Sequence, residues 1–162
     1  MDSNDIRLPE IIAHRGNAIE FPENTLQALE SAVTLGVRHV EFDVQLTADH
    51  VPVVFHDADL ARVGNRSESV HSLSWSQLAQ IPVGEVSRFG DRFAYTCAPS
   101  LAQTVDAIAG WDGVTAFVEV SGVPLRFRDL VEPRRLRVDL QLQTQHLLES
   151  DFQHRQIQLL FL

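Results

Sequence analysis

The sequence contains no lysine, and Cys97 is its only cysteine. Its 13 basic residues are therefore all arginine, and they stand against 22 acidic residues, which gives a formal net charge of -9. This charge argues against a surface that binds nucleic acid or another polyanion. One cysteine cannot form an internal disulfide, so we expect a reducing compartment. We expect Cys97 itself to be a half-buried packing residue.

No apolar run approaches the roughly 18 residues that a membrane-spanning helix needs. Residues 1–5 are acidic, whereas a secretory signal begins with basic residues. We therefore expect no transmembrane segment and a cytoplasmic location. The chain has 162 residues, of which 44% are apolar, and this is enough to build a hydrophobic core.

The composition changes near residue 121. Residues 1–121 contain 7 arginines and 17 acidic residues, whereas residues 122–162 contain 6 arginines and 5 acidic residues. Five glutamines occur before the change and six after it, although the second part is much shorter. Such a change indicates a boundary between two different kinds of sequence.

The first part of the chain has the pattern of a strand–helix–strand unit. The apolar run at 10–16 predicts a strand that is buried on both faces. Apolar residues at helical spacing over 26–36 predict a helix, with Asn24 or Thr25 as its N-cap. Alternation over 37–47 predicts a second strand, parallel to the first.

The rest of the first part contains two further strand patterns and an insertion. Residues 51–55 include a proline and predict either a continuation of the second strand or an edge strand. Residues of about 58–98 lack strong periodicity and are interpreted as an ordered insertion, with one short helix after a capping box at Ser74. A second capping box at Ser100 predicts a helix, and 114–120 predicts the third parallel strand. The fold class is therefore α/β.

Acidic residues lie on the second and third parallel strands. Glu41 and Asp43 share one face of their strand, with side-chain origins roughly 6 to 7 Å apart, and Glu119 lies near the end of the next. A lone pair of acids would usually be a solvated strand face. Parallel sheets are covered on both faces, however, so acids inside one need a cation or an arginine. The sequence predicts a site for a hard divalent cation here.

Two histidines also follow predicted strands, and each is followed by a charged residue. His14 precedes Arg15, and His56 precedes Asp57. Each histidine taken alone is more often structural, but a pair near a cation suits the acid and base steps of a hydrolysis. The Arg15 guanidinium suits phosphate oxygens, although a surface ion pair is an equally good interpretation. The other histidines are interpreted as structural or exposed: His39, His50, His71, His146 and His154.

Five short segments, taken in order and spacing, resemble the glycerophosphodiester phosphodiesterase family. These segments are Ala13–Gly16, Pro22–Thr25, Glu41–Asp49, Pro52–Asp57 and Phe117–Val120. The resemblance covers about residues 11–120 and includes the insertion, which this family also carries. It implies a TIM (β/α)8 barrel that hydrolyses small-molecule glycerophosphodiesters to glycerol 3-phosphate and an alcohol.

The resemblance also implies a role for individual residues. Glu41, Asp43 and Glu119 would bind a divalent cation, Mg²⁺ or Ca²⁺. His14 and His56 would be the catalytic acid and base, in an order that the sequence leaves open. Arg15 would contact the substrate phosphate. The family usually has lysine two residues after the third acid, and here Ser121 stands at that position.

The length departs from the family as well. A (β/α)8 barrel typically has about 250 residues, and only three parallel strands are predicted up to residue 121. We therefore interpret residues 1–121 as the N-terminal portion of the barrel, truncated to about the first three βα units plus the insertion. Residues 122–162 are interpreted as an atypical tail, out of register through a frameshift or truncation, and predicted to form a helix or loose coil.

This interpretation leaves three functional classes open. The chain could be an active phosphodiesterase, an inactive fragment or pseudoenzyme of the family, or a related phospholipase of the sphingomyelinase D type. An incomplete barrel exposes a sheet edge and apolar surface, so we expect non-specific self-association and little turnover from this chain.

Overall fold

The computed structural model describes residues 10–121 and 154–160, and it begins with the predicted strand–helix–strand unit. β1 is Ile12–His14, α1 is Leu26–Thr34 and β2 is His39–Leu46. β1 and β2 are parallel, and His14 lies opposite Glu41. The Thr25 hydroxyl accepts a hydrogen bond from the Ala28 amide, which identifies Thr25 as the N-cap of α1.

A second helix and strand extend the sheet on the other side of β2. α5 is Leu101–Ile108, and the Ser100 capping box predicted from the sequence begins it. β4 is Thr115–Ser121, and it runs parallel to β2 with Glu119 opposite Asp43. Three neighbouring parallel strands therefore end at the same edge of the sheet, which is where α/β proteins build their sites.

The main hydrophobic core lies between this sheet and the helices. Phe42 and Val44 of β2 pack with Leu29 of α1 and with Val105 and Ile108 of α5, and all are buried. The alternate residues of β2 point to its opposite face. That face carries Glu41, Asp43 and Gln45, which are also buried, so β2 is covered on both sides.

The segment between β2 and α5 forms an edge strand and then a compact insertion. β3 is Pro52–Val54 and pairs antiparallel with the end of β2, which confirms the edge-strand alternative. Three short α-helices follow, α2 at Ala61–Gly64, α3 at Trp75–Leu78 and α4 at Val86–Phe89. The Ser74 capping box predicted α3. Short 3₁₀ segments occur at Val70–Ser72 and Gly90–Phe93. A second apolar core, which includes Leu60, Val70 and Leu78, supports the insertion.

The prediction that the first strand is buried on both faces is wrong. Ile12 is 48% exposed, and Ile11, just before the strand, is 69% exposed. The reason is that β1 is at the edge of the described sheet, with β2 as its neighbour. An apolar run alone cannot show whether a strand has a neighbour on each side.

The prediction of a helix or coil for the tail is also wrong for its last described part. β5 is His154–Leu160, and it pairs antiparallel with β4 along its full length. Without β5, the backbone groups on this edge of β4 would be unpaired. The alternating Gln156-Ile157-Gln158-Leu159 sequence suits a strand. Residues 122–153 lie outside the described residues, so the interpretation of 122–162 as an atypical tail stays a prediction.

Within the described ranges, none of the helices combines the length and the apolar character that crossing a bilayer requires.

Candidate functional site

Three carboxylates converge where β2 and β4 lie side by side. Glu41 and Asp43 come from β2, and Glu119 comes from β4 directly opposite Asp43. Each offers one oxygen, and these three oxygens lie within 4.8 Å of one another. Glu41 and Asp43 are buried, at 7% and 1% exposure, and Glu119 is half-buried. We call these three residues the carboxylate cluster.

Glu41 has the most unfavourable surroundings in the carboxylate cluster. Its Oε2 accepts a hydrogen bond from the Arg15 amide at 3.0 Å. Its Oε1 is buried and makes no hydrogen bond. Burial is the main cause that raises the pKa of Glu41 to about 7, and the charges of Asp43 and Glu119 add to it. A buried acceptor beside two further carboxylates is the environment that a bound cation would satisfy.

A tight turn after β1 brings the backbone to the carboxylate cluster. Arg15 and Gly16 both have positive φ values, of 57° and 79°. A Cβ atom at Gly16 would lie 2.5 Å from the carbonyl carbon of Ala28, so only glycine fits. The turn aims the Arg15 amide at Glu41.

The Arg15 side chain forms ion pairs with two acids. Its Nη1 donates to Glu23 Oε1 at 3.0 Å, and its Nε lies 3.1 Å from Asp43 Oδ2 without making a hydrogen bond. The side chain is mostly buried, at 17% exposure. Of the two interpretations offered from the sequence, a phosphate contact or an ion pair, the ion pair describes the contacts that Arg15 makes here. These contacts place its positive charge next to the carboxylate cluster.

Asn24 positions Asp43, and its role was not predicted from the sequence. The Asn24 Nδ2 donates to Asp43 Oδ2 at 2.9 Å, and its Oδ1 accepts from the Asp43 amide at 3.2 Å. Asn24 is buried and has a φ of 57°, a conformation that asparagine tolerates well. The sequence pattern suggested Asn24 only as an N-cap of α1, a position that Thr25 takes.

The two predicted histidines have different surroundings. His14 at the end of β1 has a side chain that is 69% exposed, and its Nε2 is 3.9 Å from Glu41 Oε2. His56 follows β3, and its Nδ1 is 2.6 Å from Asp57 Oδ1. His56 lines a small cleft together with Asn24, which itself binds Asp43.

The backbone around His56 is fixed by the buried side chain of Gln45 on β2. Its Nε2 donates to the carbonyl oxygens of His56 at 2.5 Å and of Asp57 at 2.8 Å. Gln45 lies on the same strand face as Glu41 and Asp43. One strand face therefore carries two acids of the carboxylate cluster and the residue that holds the His56 segment.

Other residues considered from the sequence have ordinary structural surroundings. Cys97 is half-buried, and burial raises the pKa of its thiol. His39 Nε2 lies 3.1 Å from Glu10 Oε2, and His71 contacts the Leu46 carbonyl oxygen. His146 and the side chain of His154 lie outside the described residues.

Comparison with known proteins identifies the family. Residues 14–120 match the glycerophosphoryl diester phosphodiesterase family. The chain is 34% identical over 115 residues to a glycerophosphodiester phosphodiesterase of Caldanaerobacter subterraneus, covering 71% of this chain and 46% of that protein. It is 30% identical over 121 residues to glycerophosphodiester phosphodiesterase 1 of Bos taurus, covering 75% and 36% respectively.

Solved structures show the same fold. A glycerophosphodiester phosphodiesterase from Agrobacterium tumefaciens superposes with a TM-score of 0.63 at 30% identity, covering 70% of this chain and 47% of that one. An Oleispira antarctica phosphodiesterase, in complex with the product sn-glycerol-3-phosphate, has a TM-score of 0.63 at 34% identity, covering 70% and 44%. The chain thus spans less than half the length of these relatives, and its described residues contain the first three parallel strands of a TIM-barrel fold, the helices that connect them and the insertion. It belongs to the glycerophosphoryl diester phosphodiesterase family.

Proposed function

We propose that the carboxylate cluster and the two histidines hydrolyse glycerophosphodiesters to glycerol 3-phosphate and an alcohol. The observation that carries this proposal is the convergence of Glu41, Asp43 and Glu119, with the orphaned Glu41 Oε1 among them. The product bound to the Oleispira antarctica relative supports the substrate class.

The residues present fit a divalent cation such as Mg²⁺ or Ca²⁺. Glu41, Asp43 and Glu119 would hold it, because hard cations prefer carboxylate oxygens and each of these residues offers one. When bound, the cation would offset the negative charge of the phosphodiester and polarise its phosphorus–oxygen bonds.

His56 is the better base of the two histidines. Burial alone would raise the pKa of Asp57, but hydrogen bonds from Arg62 and His56 outweigh it and lower that pKa. The ionised Asp57 can only accept, so His56 Nδ1–H donates a hydrogen bond to Asp57, and Nε2 is left free to take a proton. We assign His56 to deprotonate the nucleophile, whose oxygen then forms a bond to phosphorus. Water as nucleophile gives glycerol 3-phosphate directly, whereas the neighbouring glycerol hydroxyl gives a cyclic phosphodiester that a water molecule then opens to glycerol 3-phosphate.

His14 is then the acid. Its exposed ring stands beside Glu41, with Nε2 3.9 Å from Glu41 Oε2. The bond between phosphorus and the alcohol oxygen breaks, and His14 donates a proton to that oxygen. The guanidinium of Arg15, already at the edge of the carboxylate cluster, would bind a phosphate oxygen.

The test is to identify the product. The full chain is incubated with glycerophosphocholine and Mg²⁺ or Ca²⁺, and ³¹P NMR follows the conversion of the diester to glycerol 3-phosphate. We expect slow release that stops when EDTA is added. Folded protein that binds the cation and still releases no glycerol 3-phosphate above a Glu41→Gln control would contradict the proposal.

Two finer statements belong to the same proposal. We place the protein in the cytoplasm, because its single cysteine needs no oxidising compartment. We also expect its partner to be a small molecule, since no basic surface for nucleic acid is expected at a net charge of -9.

A further inference from the structure

Arg62 of the insertion connects the two halves of the site. Arg62 Nε is 2.7 Å from Asp57 Oδ2, and Arg62 Nη2 is 3.0 Å from Asp57 Oδ1. The same guanidinium binds Glu23 through Nη1, at 2.9 Å from Oε2, and through Nη2, at 2.6 Å from Oε1. A single side chain therefore makes two-point contacts with two carboxylates.

Each carboxylate that Arg62 binds has a second cationic or titratable partner in the site. Asp57 Oδ1 contacts His56 Nδ1 at 2.6 Å. Glu23 Oε1 accepts from Arg15 Nη1 at 3.0 Å. The contacts run without a break from His56 through Asp57, Arg62 and Glu23 to Arg15. We call this run the connecting chain.

The two carboxylates of the connecting chain are stabilised in their ionised form. Burial would raise the pKa of Glu23, but hydrogen bonds and charge from Arg62, and then from Arg15, lower it overall. The pKa of Asp57 is lowered by Arg62 and His56 in the same way. With its two carboxylates charged, Arg62 sits between two anions that would otherwise repel each other.

Glu23 is also held from the insertion side. Its amide donates to Glu85 Oε1 at 2.8 Å, and Glu85 is 2% exposed. Glu85 Oε2 in turn accepts from Arg88 at 2.6 Å. The insertion therefore fixes the backbone of Glu23 as well as its side chain, so Arg62 is anchored at one end.

We propose that Arg62 is a positioning residue, which holds Asp57 in place so that its carboxylate keeps the His56 ring oriented with Nδ1–H donating and Nε2 free. The role rests on the proposed function, in which His56 Nε2 takes the proton of the nucleophile. Arg62 itself contacts no reacting atom. The insertion thus influences the proposed proton transfer at His56.

The geometry requires arginine. A lysine ammonium is a point charge, and it cannot match two planar carboxylates at once as a guanidinium does. Arg62→Lys keeps the positive charge but loses the two-point contacts, and Arg62→Gln loses both. Arg66 is the matched control, because it lies in the same insertion and pairs locally with Glu68.

The test has a readout that does not depend on turnover. Long-range ¹H–¹⁵N NMR of the full chain, with His56 assigned from a His56→Gln variant, distinguishes Nδ1–H from Nε2–H imidazole. We expect the wild type and Arg66→Gln to show the Nδ1–H form. Arg62→Lys and Arg62→Gln should show a mixture of tautomers while their circular dichroism spectra stay the same.

Hydrolysis kinetics are the second readout. We expect both Arg62 variants to lower kcat by about 10- to 100-fold, with KM changed by no more than about twofold. Arg66→Gln should match the wild type. An unchanged His56 tautomer in folded Arg62→Lys would overturn the positioning role, whatever the rate.

The two proposals fail in different ways. If the wild type releases no glycerol 3-phosphate, the proposed function fails, and the NMR measurement still decides whether Arg62 orients His56. If Arg62→Gln does not fold, Arg62→Lys tests the positioning role, because it keeps the positive charge between Glu23 and Asp57.

Discussion

Glu41 is the residue whose surroundings say most about the site. It is almost fully buried, one of its oxygens lacks a hydrogen bond, and two other carboxylates face it. Such an arrangement costs stability in a protein without a cation, and it lowers the cost of binding one. Its effects can be measured separately from catalysis.

The first prediction concerns pH. The fold raises the pKa of Glu41 to about 7, from the ordinary value of 4.5 for an exposed glutamate in the unfolded chain. The folded state therefore holds the proton of Glu41 more tightly than the unfolded state does. This group's contribution to stability is therefore greatest below pH 4.5 and falls as the pH rises to 7, by about 3 kcal/mol. Thermal unfolding in EDTA should show this loss, and Glu41→Gln should remove it. Identical pH dependence in the two proteins would contradict the account.

The second prediction separates the histidines from the cation site. His14→Ala and His56→Ala should each lower hydrolysis by about 10²- to 10⁴-fold, because proton transfer is lost. Cation affinity, measured by calorimetry, should stay close to that of the wild type. A variant that loses both together would show that its histidine binds the cation. His50→Ala is the control, since His50 lies in an exposed turn.

The sequence predicts where some of the site's side chains lie and misses the contacts of others. The positions of Glu41, Asp43 and Glu119 follow from strand periodicity and parallel pairing, which are local patterns. Asn24, Gln45 and Arg62 act through partners that are distant in the sequence, and no periodicity links them. Their roles need the three-dimensional structure.

Among the elements, the turn after β1 is tightly constrained. It positions the Arg15 amide against Glu41, and the backbone of α1 at Ala28 leaves no room for a side chain at Gly16. The geometry of the site therefore depends on a backbone contact between the turn and the first helix.

The third prediction tests that contact. Gly16→Ala should destabilise the fold by at least about 2 kcal/mol, because the new Cβ both overlaps Ala28 and requires a positive φ. Gly110→Ala is the control, since a Cβ there would meet a single atom, the Ala107 carbonyl oxygen at 3.3 Å, which needs to move by only a few tenths of an ångström, and its φ is not in the left-handed region. Urea unfolding of both variants gives the comparison. Equal stabilities would show that the turn can relax.

Elements with their own local signals were predicted correctly. Capping boxes begin α3 and α5, and strict alternation marks β2. The exposure of β1 and the strand at His154–Leu160 were not predicted, because both depend on which strand is a neighbour. Sheet edges are decided by the whole fold.

For the whole molecule, the described sheet is open at β1. Ile11 and Ile12 are exposed beside that edge, and an exposed edge with apolar residues is prone to pair with another copy. We expect low turnover for two reasons. His14 lies at the end of this open edge strand, and Ser121 stands where the family usually has lysine.

The fourth prediction follows from the open edge. Wild-type protein should elute as a mixture of oligomers whose size rises with concentration. Ile11→Lys should shift it toward monomer, because a charge at a sheet edge opposes pairing. Leu35→Lys, at a residue that is 71% exposed but lies at the end of α1 and not in a strand, is the control and should leave the mixture unchanged. Light scattering that finds only monomer in the wild type would contradict the expectation.

We propose above that the carboxylates of β2 and β4 bind a divalent cation on which phosphodiester hydrolysis depends. The most direct measurement is the rate of glycerol 3-phosphate release from glycerophosphocholine as a function of Mg²⁺ concentration, for the wild type and Glu119→Gln. We expect a saturable dependence that moves to at least about 10-fold higher Mg²⁺ in the variant. A rate that is independent of Mg²⁺, or the same curve for both proteins, would contradict it.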